Sequence, residues 1–400
     1  MENRNRLSNN NPDNYRSMNQ KNMIAYFEKG IKKPDHTLMF GVEIEHFVVD
    51  KRGNSISYYG VGGIEQILHE LSEYYPYEHV SEGHLIGLYS DEMSVSLEPA
   101  AQMEVSIAPR SDTADIVKLY EKFRSTTEPV LEKYGLHLVT EGYQPASLVN
   151  ELSLIPKKRY ELMDRYFQKI GIYGRQMMRG TASAQISIDY YSEEDFSRKY
   201  KIAYQMRPVL YQLCANTTVY EGKRTDSAAI RKQIWEGTDP LRVDVAPYLR
   251  NGTLDFSAYS EFVMNAPVIV LLLEDMAEDQ EQYCEKTIGQ LFEERIFEER
   301  EMEHVLSMVF PMIRLKNYME IRIADSMPIA SVRCYALLIK GIFTDCDRFE
   351  EYLKRLAEKK LSVFEDMDGF YQIVSQGLLQ EERDYLSLFR ERMIKEGTII

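Results

Sequence analysis

The chain carries no surplus of positive charge: 48 lysines and arginines stand against 63 aspartates and glutamates, a net charge of −15. Nucleic acids and anionic membranes are held by cationic surfaces, so neither is the partner expected here. A small polyanion such as ATP stays open, because a local cationic pocket or metal ions suffice for it. Cysteine is scarce as well. Cys214, Cys284, Cys334 and Cys346 form no CxxC pair and no His-rich metal spacing, and they read as reduced, mostly buried thiols. Long apolar runs are missing: the longest, residues 268–273, is far short of the roughly 20 residues that span a bilayer. No apolar run near residue 1 reads as a signal peptide, and the expectation is a soluble, cytoplasmic protein. Tryptophan occurs once, at Trp235, and no internal repeat or low-complexity linker breaks the chain beyond residue 20.

What is present is ordinary globular composition, 44% hydrophobic and 28% charged. Residues 1–20 are rich in Asn and Arg and poor in large apolar side chains, which predicts a disordered arm. Residues 21–400 read as a single domain. Apolar residues at helical spacing predict helices over 21–32, 62–75, 112–134 and 156–170. Ser192-Glu193-Glu194-Asp195 is a helix-start signature that opens another helix to about 215. Residues 254–309, and everything after 325, are helical in pattern; 347–360 alternate acid and base as a solvated face does.

Four segments alternate instead with period two. In residues 310–325, FPMIRLKNYMEIRIAD, a strand places Ile313, Leu315, Met319, Ile321 and Ile323 on one face. Arg314, Lys316, Tyr318, Glu320 and Arg322 fall on the other. Residues 38–50 set Glu43 and Glu45 opposite Val42, Ile44 and Val48. Residues 94–109 read as strand, turn, strand, with Gln102, Glu104 and Ser106 on one side and Glu98 just before the Pro99 corner. Residues 181–190 give Gln185, Ser187 and Asp189 opposite Ile186 and Ile188. One such strand is satisfied by a wet, salt-bridged sheet face. Four of them combine five glutamates with Arg314, Lys316 and Arg322, and Arg231 stands nearby in sequence to Trp235. Carboxylates in number hold hard cations such as Mg²⁺, and arginines grip carboxylates and phosphates, so the set suits Mg–ATP meeting a carboxylate substrate.

From residue 38 to about 330 the chain resembles the glutamate–cysteine ligases of the plant and proteobacterial lineage. The matching stretches are GVEIE at 41–45, SLEPAAQME at 96–104, TASAQISID at 181–189, RKQIWEGT at 231–238 and, above all, residues 310–325. The resemblance implies an α+β fold: a largely antiparallel curved sheet lining an active-site funnel with helices outside, as in glutamine synthetase. It implies Glu43, Glu45, Glu104 and Glu320 as metal carboxylates, with Glu98 in the same site. It makes Arg231 the holder of the substrate's α-carboxylate, Lys316, Arg322 and Arg314 the cations at the ATP phosphates, and Gln185 and Ser187 the lining of the amino-acid pocket. Arg322, Lys316 and Glu98 are the residues it marks as catalytic.

The implied reaction joins the γ-carboxylate of L-glutamate to the amine of L-cysteine through a γ-glutamyl phosphate, with ATP as co-substrate and Mg²⁺ as cofactor. Two departures bear on the acceptor: Ala100 and Ala101 stand where the plant-type motif has glycines, and Gly180-Thr181-Ala182-Ser183 replaces its cysteine-containing stretch. A sister ligase for another amine, a guanidino phosphotransferase and a catalytically silent binding homologue are the alternatives.

Overall fold

The computed structural model describes residues 12–225, 230–250, 252–271 and 285–400. Its strands are β1 (Phe40–Val49), β2 (Tyr77–Ser81), β3 (His84–Tyr89), β4 (Met93–Leu97), β5 (Met103–Arg110), β6 (His137–Val139) and β7 (Ser183–Ile188). They are followed by the short ribbon β8 (Val219–Tyr220) and β9 (Lys223–Arg224), then β10 (Ile313–Leu315) and β11 (Met319–Asp325). Nine of them form one sheet in the order β10-β11-β7-β1-β5-β4-β3-β2, with β6 paired to the far half of β1. Every pairing in it is antiparallel. The expected α+β class with a large antiparallel sheet and helices outside holds.

Period two sorts the sheet into two chemically different faces. Val42, Ile44, Val95, Val105, Ile186 and Ile321 project to one side and are at most 1% exposed. The helices Thr113–Lys133, Glu193–Leu213 and Ile329–Phe343 cover that side. Ile329–Phe343 is apolar nearly all round, because it lies between the sheet and the outer helices Met367–Gln376 and Gln380–Glu396. The helix starts read from sequence are realised: the Asp112 side chain accepts from Ala114 N, and the Ser192 hydroxyl accepts from Asp195 N.

Several expectations are corrected. The disordered arm was expected to reach residue 20, but a helix runs over Pro12–Glu28; residues 1–11 lie outside the described residues. Proline suits the first turn of a helix. The polar residues that suggested disorder are partly internal: Asn19 is fully buried, donates to Phe292 O and Arg295 O, and accepts from Phe297 N. Residues 310–325 are not one strand but a hairpin, β10–β11, turning at Lys316-Asn317-Tyr318. The face assignment survives because Arg314 pairs with Glu320 and Leu315 with Met319, a mirror about residue 317 that preserves odd and even. In the stretch expected to be helical over 254–309, helices occupy Phe256–Asn265, Ile288–Leu291 and Glu299–Leu306, and residues 272–284 are outside the described set. Strands β2 and β3 had no clear sequence signal. Among the described residues no helix is long and apolar enough to cross a membrane, and Cys214, Cys334 and Cys346 are free thiols; Cys284 lies outside the described residues.

His46, on β1, points away from the polar face into the core. It is fully buried, its Nδ1 meets Met103 O at 3.1 Å and its Nε2 meets the Tyr120 hydroxyl at 2.8 Å. Burial pushes its pKa down to about 4. Below about pH 6.5 the unfolded chain binds a proton that the folded imidazole refuses until about pH 4. Stability is therefore full above that window and is lost as pH falls through it, by up to about 1.4 kcal/mol per pH unit. His46→Gln should be less stable than the parent at pH 7.5, with the gap narrowing toward pH 4.5 in urea unfolding. A gap independent of pH would remove His46 from the acid response.

Candidate active site

The polar face is organised in cross-strand rows. Ser94, Ser106, Glu43 and Gln185 form one row across β4, β5, β1 and β7. Ser96, Glu104 and Glu45 form the next, and Glu320, Ser187 and Gly41 a third. A solvent-washed face is ruled out by burial: Arg314 and Arg322 are 8% exposed and Glu320 is fully buried.

These rows floor a cavity of about 260 Å³. Its sheet side carries Glu43, Glu45, Glu98, Glu104, Gln185, Arg314, Lys316 and Arg322. The opposite wall comes from the helix Lys158–Phe167, the turn at 176–180, Trp235 and the Ser307–Phe310 segment. The turn at Gln176–Gly180 has π-helical hydrogen bonding, a geometry that recurs at functional sites. Gly180 allows it: a Cβ there would sit 2.6 Å from the Tyr143 ring.

The cations are gathered by one carboxylate. Glu320 Oε2 accepts from Arg314 Nε at 2.7 Å and Arg322 NH1 at 2.9 Å; its Oε1 accepts from Arg314 NH2 at 3.0 Å and Lys316 Nζ at 3.3 Å. Burial pushes the Glu320 pKa up, but Arg314, Lys316 and Arg322 together outweigh it and hold the carboxyl well below its usual range. All four of its acceptor positions are filled. Here the carboxylate anchors cations, and the metal role expected for Glu320 finds no free acceptor position on it.

The other carboxylates are under the opposite stress. Glu45 and Glu104 are direct partners across β1 and β5, an arrangement of like charges that destabilises a sheet. Glu45 is partly compensated by Ser183 N at 2.7 Å, Ser183 Oγ at 2.8 Å and Gln185 Nε2 at 3.0 Å. Among the described residues the Glu104 carboxylate accepts only from the hydroxyls of Ser96 and Ser106. The side-chain carboxylates of Glu43 and Glu98 have, among the described residues, no hydrogen-bond or ion-pair partner. Burial, then the charges of Glu43, Glu98 and Glu45, pushes Glu104 well above the usual carboxylate range. Burial and then Glu45 push Glu98 up to about 7. Among the described residues no three carboxylates, histidines or cysteines are already arranged to hold a metal ion. Yet four mutually repelling carboxylates around one cavity, two without partners, fit a divalent cation as the missing charge.

Two expected pocket residues stand elsewhere. Arg231 lies one layer behind the wall, 2% exposed, with NH1 donating to Arg322 O and Ile323 O. Among the described residues its Nε and NH2 have no partner, and its guanidinium stacks 5.6 Å from the Trp235 ring centroid, as Arg322 does at 5.8 Å. Ser187 lines a second cavity of about 280 Å³, with Lys32, Met39, Pro109, Asp189 and Tyr318, on the far side of Glu43. Glu43 belongs to both cavities, and the β10–β11 turn sends Lys316 into one and Tyr318 into the other.

Sequence reasoning missed Arg159. It lines the first cavity and is fixed by Ser307 Oγ at 3.0 Å and Ser307 O at 2.9 Å. Lys157-Lys158-Arg159 reads as an exposed helix start, and nothing in the pattern marks which of the three turns inward. Gln102 ties the rim together, accepting from Ala100 N at 2.8 Å and donating to Thr181 O at 3.2 Å. Ala101 holds a left-handed φ of 65°, which explains a preference for glycine in this turn and costs an alanine roughly 1–2 kcal/mol.

The fold and the site define an antiparallel-sheet enzyme scaffold with a shared anion and cation pocket, and the solved structures hold such a scaffold. The glutamate–cysteine ligase of Francisella tularensis, crystallised in complex with AMP, superposes with a TM-score of 0.54 over 92% of this chain and 83% of that one, at 12% identity. That likeness is one of fold. The family profile described as glutamate-cysteine ligase family 2 matches residues 39–354, and the chain belongs to that family. Chloroplastic glutamate–cysteine ligases are its relatives in sequence: that of Arabidopsis thaliana is 27% identical over 353 residues, and that of Medicago truncatula 28% over 323. The matches take in 85% and 78% of this chain but 66% and 62% of the plant enzymes, so it spans about two thirds of their length.

Glu104→Gln removes the opposed charge while keeping an acceptor for Ser96 and Ser106. Denaturant unfolding in EDTA should show the variant more stable than the parent by about 0.5–1 kcal/mol, the gap widening as pH rises and the parent's Glu104 is driven to ionise. A loss of stability instead would mean that the carboxylate pair is not strained.

Proposed function

We propose that the protein uses ATP to join the γ-carboxylate of L-glutamate to the amine of L-cysteine, through a γ-glutamyl phosphate. The observation that carries this is the facing of Arg159, Arg314, Lys316 and Arg322 against Glu43, Glu45, Glu98 and Glu104 around one cavity; family membership supports it. A carboxylate at neutral pH is a poor electrophile, and phosphorylation gives it a leaving group. The cations would bring the glutamate and triphosphate anions together and stabilise the transferring phosphoryl group, the preorganised electrostatics that dominate such catalysis. Divalent cations such as Mg²⁺, held among Glu43, Glu45 and Glu104, would neutralise charge and polarise phosphate oxygens. Glu98, at the lip of the turn and without a partner, is assigned to take the proton of the attacking amine. The second cavity, with Met39, Ile107 and Pro109 beside Asp189 and Lys32, suits the nucleoside. Free thiols suit the reducing cytoplasm as its location.

A neighbouring acceptor is the second reading, because Thr181 lines the cavity within a stretch that departs from the plant-type motif. ADP release, measured with glutamate and each amino acid in turn and followed by product mass, separates the readings. The γ-glutamylcysteine mass is expected with cysteine. A phosphorylated guanidine would mark a phosphotransferase, and no ADP with any acceptor would mark a binding homologue. Glu43→Gln should lower turnover by about 10²–10³ without destabilising the fold; parental turnover would remove Glu43 from the reaction.

Arg231 is assigned to the glutamate α-carboxylate either by its free Nε and NH2 or through Arg322, whose carbonyl it holds. Either route predicts a glutamate KM raised about 10- to 100-fold in Arg231→Ala, the worth of one charge-assisted contact. An unchanged KM with a lowered melting temperature would leave Arg231 a purely structural residue.

A further inference from the structure

The turn that carries Lys316 is not held by the sheet alone. Three buried aromatic residues and a glycine grip it from outside. The Tyr190 hydroxyl lies between two carbonyls, donating to Phe27 O at 2.6 Å and Lys316 O at 3.1 Å. One proton shared between two acceptors ties the end of the first helix to the hairpin turn. The backbone closes the same joint, since Lys32 N donates to Tyr190 O at 2.9 Å and Ile31 bridges Tyr190. Gly30 faces the turn so closely that a Cβ would sit 2.3 Å from Asn317 O and 2.4 Å from the Tyr190 hydroxyl. On the other arm of the hairpin, Leu315 N donates to the Tyr259 hydroxyl at 3.1 Å. Phe27 packs on Tyr259 and Phe256, with centroids 5.8 and 5.5 Å apart, and Tyr190 packs on Phe256 at 5.7 Å. Phe27, Tyr190 and Tyr259 are all fully buried.

Phe27 and Gly30 precede residue 39, where the family match begins. A segment outside the matched region therefore touches the backbone of the turn that reaches both cavities. We propose that the Tyr190 hydroxyl, seated on the end of the Pro12–Glu28 helix, is a positioning group that sets where Lys316 stands between Glu320 and the cavity. Among the described residues Lys316 Nζ is held by Glu320 Oε1 at 3.3 Å and the Tyr318 hydroxyl at 3.1 Å alone, so a shift of its backbone is not corrected by its side-chain contacts. Tyr190 and Gly30 line neither cavity; they act through the turn.

This rests on the reading of Lys316 as a cation of the ligase site, and the test separates the two. Tyr190→Phe keeps the ring and removes the hydroxyl; Gly30→Ala keeps the hydroxyl and pushes on the Asn317 carbonyl. Acetylation of each lysine by a water-soluble N-hydroxysuccinimide ester, followed by peptide mass spectrometry, needs no substrate. In both variants Lys316 should label about three- to tenfold faster than in the parent, the worth of one hydrogen bond. Lys340, partly buried against Glu382 on the far helices, serves as the reference and should label at the parental rate. If the parent is a ligase, kcat should fall by a similar factor with the glutamate KM little changed. Parental labelling of Lys316 in Tyr190→Phe would overturn the proposal, and so would equal acceleration at Lys340, which would make the hydroxyl a general stabiliser. A parent without ligase activity would sink the reading of function and leave the labelling result to decide the positioning role.

Discussion

Glu320 is the interaction on which the site depends. A fully buried carboxylate with four donors from Arg314, Arg322 and Lys316 turns three mutually repelling cations into one rigid group. Removing one partner from such a buried pair typically costs about 3–5 kcal/mol, because the charges left behind have no water to turn to. The hub also fixes geometry. Arg322 reaches Gln185 on β7, Gln185 reaches Glu45 on β1, and the chain of contacts runs from the edge hairpin to the centre of the sheet.

Against this satisfied corner stands a strained one. Glu45 and Glu104 oppose each other directly, and the side-chain carboxylates of Glu43 and Glu98 have no partner among the described residues. One cavity therefore has a cationic end whose charges are paid for by Glu320 and an acidic end whose charges are not. The first end suits an anion and the second a cation. That polarity, more than any single side chain, is what makes a phosphoryl-transfer reading of the site physically coherent.

The scaffold explains how Glu43 and Arg322, 279 positions apart, come to share a cavity of about 260 Å³. Antiparallel pairing sets β1 between β5 and β7, and β7 beside β11, so that odd positions of β1 and β7 and even positions of β5 and β11 meet on one face. A slip of one residue in any pairing would turn its polar set into the core. The apolar face is buried under helices, and the register is set by that burial.

The sequence by itself determined the two faces. Alternation placed Glu43, Glu45, Glu104, Gln185, Arg314, Lys316, Glu320 and Arg322 on polar sides, and the mirror symmetry of the hairpin about Asn317 kept that assignment true although the turn went unread. Helix spacing and caps located the helices that cover the other face, because those signals are local. Tertiary structure alone decided what each polar group meets. Glu320 and Glu104 look alike in sequence, yet one is saturated by cations and the other faces carboxylates, since that depends on which strand lies alongside. It also decided that Arg159 turns inward from a run of three cations, that Arg231 stands behind Arg322, that Ser187 belongs to a second cavity, and that an Asn-rich segment is a helix with a buried asparagine. Each of these is a contact between residues far apart in the chain, and a local pattern carries no record of such a partner.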